Sequence, residues 1–373
     1  MISRRLALGG MAGAVAGPSL AAPVRRKATG TPVELPLKIS RGLPWTTVEL
    51  PDGRSFPFGL TTGQRKWGAH PSVTNPNYVA GKNSGGSQIE RAVIGGRIAD
   101  SAIPCASVPG YFEGLPIAGI IGVIRYQPLL MDWDRQVLTI NTKPVPAGYR
   151  RLWMDGTVKT FGCIKLDIDG HIARVWVAPF VSWGLHLSTG FVKREGLWDR
   201  FARRRNDFDG DGRVLHQSVA PERVTIGGLT LDNPVVRLNA REDRYLRHLT
   251  GDNDGVIGFD LLKRLNMHID RPQDQLIYHV AYSGHRYAPY ADDRAGMAFS
   301  DYDGALTVTW IDDKGPAWKA GVRGGDVLVA AEVEAGVAGL PYALTQPAGS
   351  QVPIEVLKGK ATKRLVITLE DRL

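Results

Sequence analysis

Cysteine is nearly absent: Cys105 and Cys163 are the only two in a chain of 373 residues. Two thiols cannot hold a zinc cluster unaided or define a disulfide scaffold, which excludes a metal-stapled or disulfide-rich miniprotein. They leave open one disulfide or two separate buried thiols. The apolar stretch from Leu6 to Ala16 is shorter than the roughly 20 residues a permanent membrane helix needs. No G-x-S-x-G elbow of the serine hydrolases is present. Charge is only mildly one-sided, with 46 Lys and Arg against 37 Asp and Glu, a formal net charge of +9. The excess is scattered apart from Arg200, Arg203, Arg204 and Arg205, which read as a solvated face or a contact for anionic envelope surfaces.

What is abundant points to a folded, β-rich protein. Hydrophobic residues make up 43% and charged residues 22%, enough for ordinary cores. The 44 Gly and 24 Pro separate short Val/Ile/Leu runs, a pattern of strands and turns rather than of a helical bundle. Residues 1–22 have Arg4 and Arg5 ahead of the short apolar stretch and a small-residue end at Ser19-Leu20-Ala21, the form of a secretory leader. Ser3-Arg4-Arg5-Leu6 resembles a twin-arginine signal, with an ordinary Sec signal as the competitor. A periplasmic or secreted location follows, and export argues against nucleic acid as a partner.

Two weakly related units organise the middle of the chain. The first, residues 33–145, runs through Phe58-Gly59-Leu60-Thr61-Thr62-Gly63 to Ala118-Gly119-Ile120-Ile121-Gly122, then Leu130-Met131-Asp132-Trp133-Asp134. The second, residues 155–285, runs through Leu185-His186-Leu187-Ser188-Thr189-Gly190 to Asp254-Gly255-Val256-Ile257-Gly258, then Met267-His268-Ile269-Asp270. The parts come in the same order in both.

This order resembles the aspartic protease fold, in which two β-rich lobes each supply one aspartate on an apolar-Asp-Thr/Ser-Gly loop backed by an apolar-apolar-Gly segment. The resemblance implies a fused pair of retropepsin-like units in one mainly β, pepsin-like chain. It also implies that Thr61 and Ser188 stand where the two aspartates belong, with Thr62, Gly63, Thr189 and Gly190 retained around them. In the family the two threonines hydrogen-bond across the lobe interface. Two close carboxylates share a proton, so that one activates water while the other donates to the scissile carbonyl. A hydroxyl does not ionise near neutral pH and cannot act as that base. No Asp-Thr-Gly or Asp-Ser-Gly occurs anywhere in the chain. Alternation on a strand also puts His186 and Ser188 on one side, as a base and nucleophile would be, but no orienting acid or oxyanion site accompanies them.

Residues 295–373 resemble a PDZ domain of the bacterial periplasmic type. The resemblance rests on Gly315-Pro316-Ala317-Trp318-Lys319-Ala320-Gly321-Val322-Arg323-Gly324-Gly325-Asp326. Such domains add a peptide C-terminus as a strand, which implies Gly304, Ala305, Leu306 and Thr307 as the carboxylate loop. Asp207, Asp209 and Asp211 alternate before a glycine like the first half of a calcium loop. Ser218 stands where the bidentate Glu would be needed. No other cofactor is expected. The expected function is noncatalytic binding of extended peptides or protein C-termini; an active periplasmic endopeptidase and an envelope scaffold are the alternatives.

Overall fold

The computed structural model describes residues 31–62, 67–75, 77, 88–107, 117–126, 128–142, 144–152, 163–209, 212–241, 253–270, 276–302, 305–333 and 336–373. Residues 1–22, Gly63, Asp211 and Gly304 lie outside them. The chain is mainly β, with short helices such as Thr189–Arg194 and Phe259–Leu262. Among the described residues no helix is long and apolar enough to cross a membrane.

The Gly-apolar-apolar-Gly segments organise two sheets in the same way. In the first half, strand Ser55–Thr61 runs parallel to Gly119–Gly122. That strand is antiparallel to Trp67–Ala69, which in turn runs parallel to Ile98–Ser107. In the second half, His171–Val177 runs parallel to Gly255–Ile257, then Leu185–Leu187 antiparallel to it, then Val236–Asn239 parallel to that. The glycines are needed where these strands cross closely. A side chain at Gly119 would strike the carbonyl of Gly68, and one at Gly255 the carbonyl of His186.

A third sheet is shared between the halves. Val33–Pro36, Val137–Ile140 and Leu129–Asp132 come from the first half; Leu265–Asp270, Ile277–Tyr282 and Arg150–Leu152 complete it. Leu130 faces His268 at its centre, flanked by Met131 opposite Met267 and Leu129 opposite Ile269. Alternating apolar residues of all three sheets pack into one core, with Trp67, Trp133, Phe58, Phe191 and Phe259 fully buried.

The C-terminal segment forms a separate five-stranded antiparallel sheet in the order Met297–Tyr302, Ala305–Ile311, Val327–Ala331, Gln351–Lys358, Ala361–Thr368. It has its own core, including Val308, Leu328, Leu340, Ile354 and Ile367. Gly321 and Gly325 take positive φ where helix Pro316–Lys319 ends and where the chain turns into the third strand.

Two arginines fasten this segment to the body. Arg264, wholly buried, donates to the carbonyls of Asp260, His285, Arg286, Ala288 and Pro289 at 2.6–3.3 Å. Its guanidinium also lies 3.6 Å from the ring centre of Tyr290. One cation thereby fixes the whole connecting stretch. Arg205 grips Asp292 with two hydrogen bonds of 2.8 Å and Asp207 with two more, at 2.8 and 3.4 Å. Nearby, Phe208 stacks on Trp310 and Arg203 donates to the carbonyl of Leu373. Of the arginine cluster, Arg200, Arg203 and Arg204 are exposed, as a solvated face requires, whereas Arg205 is a largely buried ion-pair partner holding two parts of the fold together.

Candidate functional site

Strand register identifies the residues at the two equivalent loop positions. Thr61 lies opposite Gly122 on the parallel strand. In the second half, Val177 lies opposite Ile257, and the Ala178 N–H donates to the Ile257 carbonyl, continuing the pairing toward Gly258. Matching Gly119-Ile120-Ile121-Gly122 with Gly255-Val256-Ile257-Gly258 equates Thr61 with Ala178 and Thr62 with Pro179. Ser188 is not the counterpart of Thr61. It follows the strand antiparallel to Gly255–Ile257, and its N–H donates to the Asp254 carbonyl. Asp254 and Gly258 are four residues apart, about 13 Å along a strand.

Ser188 instead caps the helix Thr189–Arg194, its Oγ accepting from the Phe191 N–H at 3.2 Å. The equivalent residue in the first half is His70, which caps Pro71–Thr74 in the same way. Ser188-Thr189-Gly190 resembles the loop motif in spelling alone. The register shows that this tripeptide begins a helix one strand later. Gly190 is an exposed position of that helix, and the buried Thr189 hydroxyl has no hydrogen-bond partner among the described residues. A Ser188–His186 catalytic pair is likewise absent, because the serine is a cap and His186 Nε2 is held by Arg237 at 3.2 Å.

Thr62 does bridge the halves. Its hydroxyl, wholly buried, donates to the Val177 carbonyl at 2.7 Å across a sequence separation of 115 residues. Thr62→Val keeps the shape but strands a buried acceptor, so urea unfolding should report a loss of about 1–3 kcal/mol. Around this bridge the seam is apolar: Leu43, Ile117 and Ile120 from the first half meet Cys163, Trp176, Ala178, Phe180, Val181 and Val256 from the second. Thr61 and Ala178 are both buried. Both cysteines are free thiols; Cys163 donates to Asn253, and burial pushes Cys105 up to about 11.

The remaining expected sites also change. Asp207 accepts from Arg205 and Ser218 and pairs with His216 at 3.0 Å, while Asp209 pairs with Arg241 at 2.9 Å and accepts from the Arg213 N–H. Cations already neutralise both carboxylates, so they do not converge as hard-ion ligands; among the described residues no group of metal-ligating side chains is found. In the C-terminal sheet, Leu306 and Thr307 are paired on both sides, with Asp301 and Ser300 on one strand and Leu328 and Val327 on the other. An interior strand cannot accept another. Ala305 pairs with Tyr302. The edge strands are Met297–Tyr302 and Ala361–Thr368. The amides leading into the former, Ala295 and Gly296, both donate to Asp293 Oδ1 at 3.0 Å, a local turn closed by the aspartate's own side chain.

The chain is similar in fold to the aspartic proteinase from Irpex lacteus, at 11% identity and a TM-score of 0.45 over 69% of this chain and 99% of that one. It is also similar to Basic 7S globulin from soybean, at 10% identity and a TM-score of 0.43 over 69% and 97%. No family model matches the chain, and no curated protein matches it.

Proposed function

We propose that this is an exported, noncatalytic peptide-binding protein, built from two aspartic-protease-like lobes and a PDZ-type domain. One observation carries the reading: the two residues equivalent by register at the heads of the matched parallel strands are Thr61 and Ala178. Neither side chain changes protonation in the range where a carboxylate pair would activate water, so the hydrolytic step lacks its base and its acid. The Thr62 bridge and the apolar seam keep the paired-lobe frame in place without that acid pair.

In the C-terminal domain, the outer edge of Met297–Tyr302 is the ladder suited to strand addition. Asp293 already occupies the amides of Ala295 and Gly296, so recognition runs along the peptide backbone and does not require a free chain end. The partners are then extended segments of unfolded or flexible polypeptide in the cell envelope.

Two measurements test this. Incubation with an unfolded protein substrate at acidic pH is expected to give no cleavage, with or without pepstatin. Pepstatin-sensitive cleavage would establish the peptidase alternative. Extended peptides with free and amidated C-termini are expected to bind with equal affinity; a strong preference for the free carboxylate would show that Asp293 is displaced and that chain ends are the ligand.

A further inference from the structure

The nine-stranded sheet of the second half ends in two edge strands, Leu229–Asp232 and Arg204–Phe208, and the two are finished differently. At the first, the Tyr282 hydroxyl accepts from the Thr230 N–H at 2.7 Å and donates to the Thr230 carbonyl at 2.9 Å, standing in for a neighbouring strand. Arg204–Phe208 has no such cover. The Ala220 N–H donates to the Arg203 carbonyl and the Ala240 N–H to the Leu215 carbonyl, which fixes the alternation of the ladder. Arg205 and Asp207 therefore bond inward to Ser218 and His216, while Arg204 and Asn206 turn their N–H and C=O groups away from the sheet. Both residues are exposed, and among the described residues nothing pairs with those backbone atoms.

The strand is braced from its other side. Arg205 ends a row that runs across four strands through Ser218 and Arg237 to His186, and Asp207 and Asp292 hold it there. Phe208 stacks on Trp310 with ring centres 4.8 Å apart. An edge fixed in this way is pre-organised for a partner strand, because little ordering cost is left on the protein's side. Its flank is cationic. Arg200 is exposed with no acidic partner among the described residues, and Arg203 donates to the Leu373 carbonyl. Arg204 has one ion pair, with Asp199 at 3.3 Å, so three guanidinium charges are met by one carboxylate.

We propose that the outer edge of Arg204–Phe208 takes up an extended acidic segment of a partner polypeptide as an added strand. The backbone groups of Arg204 and Asn206 supply the ladder, and the arginines beside it select acidic side chains at alternate positions of the incoming strand. This edge belongs to a different sheet from Met297–Tyr302. The assignment deepens the peptide-binding reading by naming the chemistry of the partner, and rests on it.

The test uses the full chain with nitrogen-labelled backbone amides, followed by NMR at low salt. The probes are a short Glu-Val repeat and its Lys-Val counterpart, both blocked at their ends. Saturable shifts and slowed hydrogen exchange of the Arg204 and Asn206 amides are expected with the Glu-Val peptide. It should bind about tenfold more tightly than the Lys-Val peptide, and raising the salt should narrow that ratio. Asn206→Pro removes an outward donor, leaves the inward ladder alone and should abolish the response. Arg200→Gln combined with Arg204→Gln should bring the two peptides to near-equal affinity, and this variant decides the matter if the proline chain does not fold. Unmoved Arg204 and Asn206 amides at saturating peptide, or undiminished preference for Glu-Val in the double variant, overturn the proposal. Shifts confined to Met297–Tyr302 overturn it while upholding the wider peptide-binding reading. Shifts confined to Arg204–Phe208 uphold it and remove the C-terminal edge from that reading.

Discussion

Replacing Arg264 with methionine is expected to destabilise the protein by about 3–5 kcal/mol, because the loss of one cation strands several carbonyl oxygens at once. Methionine fills much of the same volume but donates nothing. The carbonyls of Asp260, His285, Arg286, Ala288 and Pro289 lose a shared donor, and Tyr290 loses the cation over its ring. The damage should be local first. Limited proteolysis is expected to cut the stretch between residues 283 and 290 in the variant well before the body, releasing the C-terminal segment. Arg264→Lys should recover little, since a compact ammonium cannot reach carbonyls arranged around a planar fork. Unchanged urea unfolding and an intact connecting stretch in Arg264→Met would show that the carbonyls find water instead.

Arg205→Leu is expected to cost a similar amount, about 3–5 kcal/mol, by leaving Asp207 and Asp292 buried without their common partner. The Asp292 side chain is only 4% exposed. The effect has a pH signature. Burial alone would raise the pKa of Asp207, but His216 and Arg205 together hold it well below the usual 3.8. A depressed carboxylate contributes stability above its unfolded value, lost only as pH falls through the lower folded value, so this pair resists mild acid. Without Arg205 that protection shrinks, and acid unfolding should begin at a higher pH. The buried imidazoles behave differently. Burial lowers the pKa of both His186 and His216 from 6.5, so the unfolded chain binds their protons first. Wild-type stability should therefore decline as pH drops below about 6.5 and continue to fall through the lower folded values. Urea midpoints measured across this range, for wild type and Arg205→Leu, separate the two contributions.

Much of the strand pattern was legible in the chain. The alternating runs, the glycine-flanked Ile120-Ile121 and Val256-Ile257 segments, and the glycines around helix Pro316–Lys319 all encode local geometry directly, since close strand crossings and positive φ admit few residues. The candidate sites were less legible. Ser188-Thr189-Gly190 has the spelling of a turn motif, yet the same small polar residues make a good helix cap, and only pairing with Asp254 distinguishes the two roles. Ala178 is silent in the sequence, since alanine followed by proline carries no chemical signal; its position is defined by what lies across from it. Leu306 and Thr307 failed for a related reason, as the flanking partners of a strand are set by topology. The row from His186 to Arg205 draws on four strands, and no local spacing announces it.

The shared sheet has a consequence for how this chain can be divided. Because Met131 faces Met267 and Leu129 faces Ile269 around Leu130 and His268, the two halves meet through nearly interchangeable edges. Either half produced alone would carry that edge unsatisfied, and a second copy of itself is the most fitting cover for it. The single polypeptide thus keeps together two sheet edges that, if separated, would each present an open ladder to another chain.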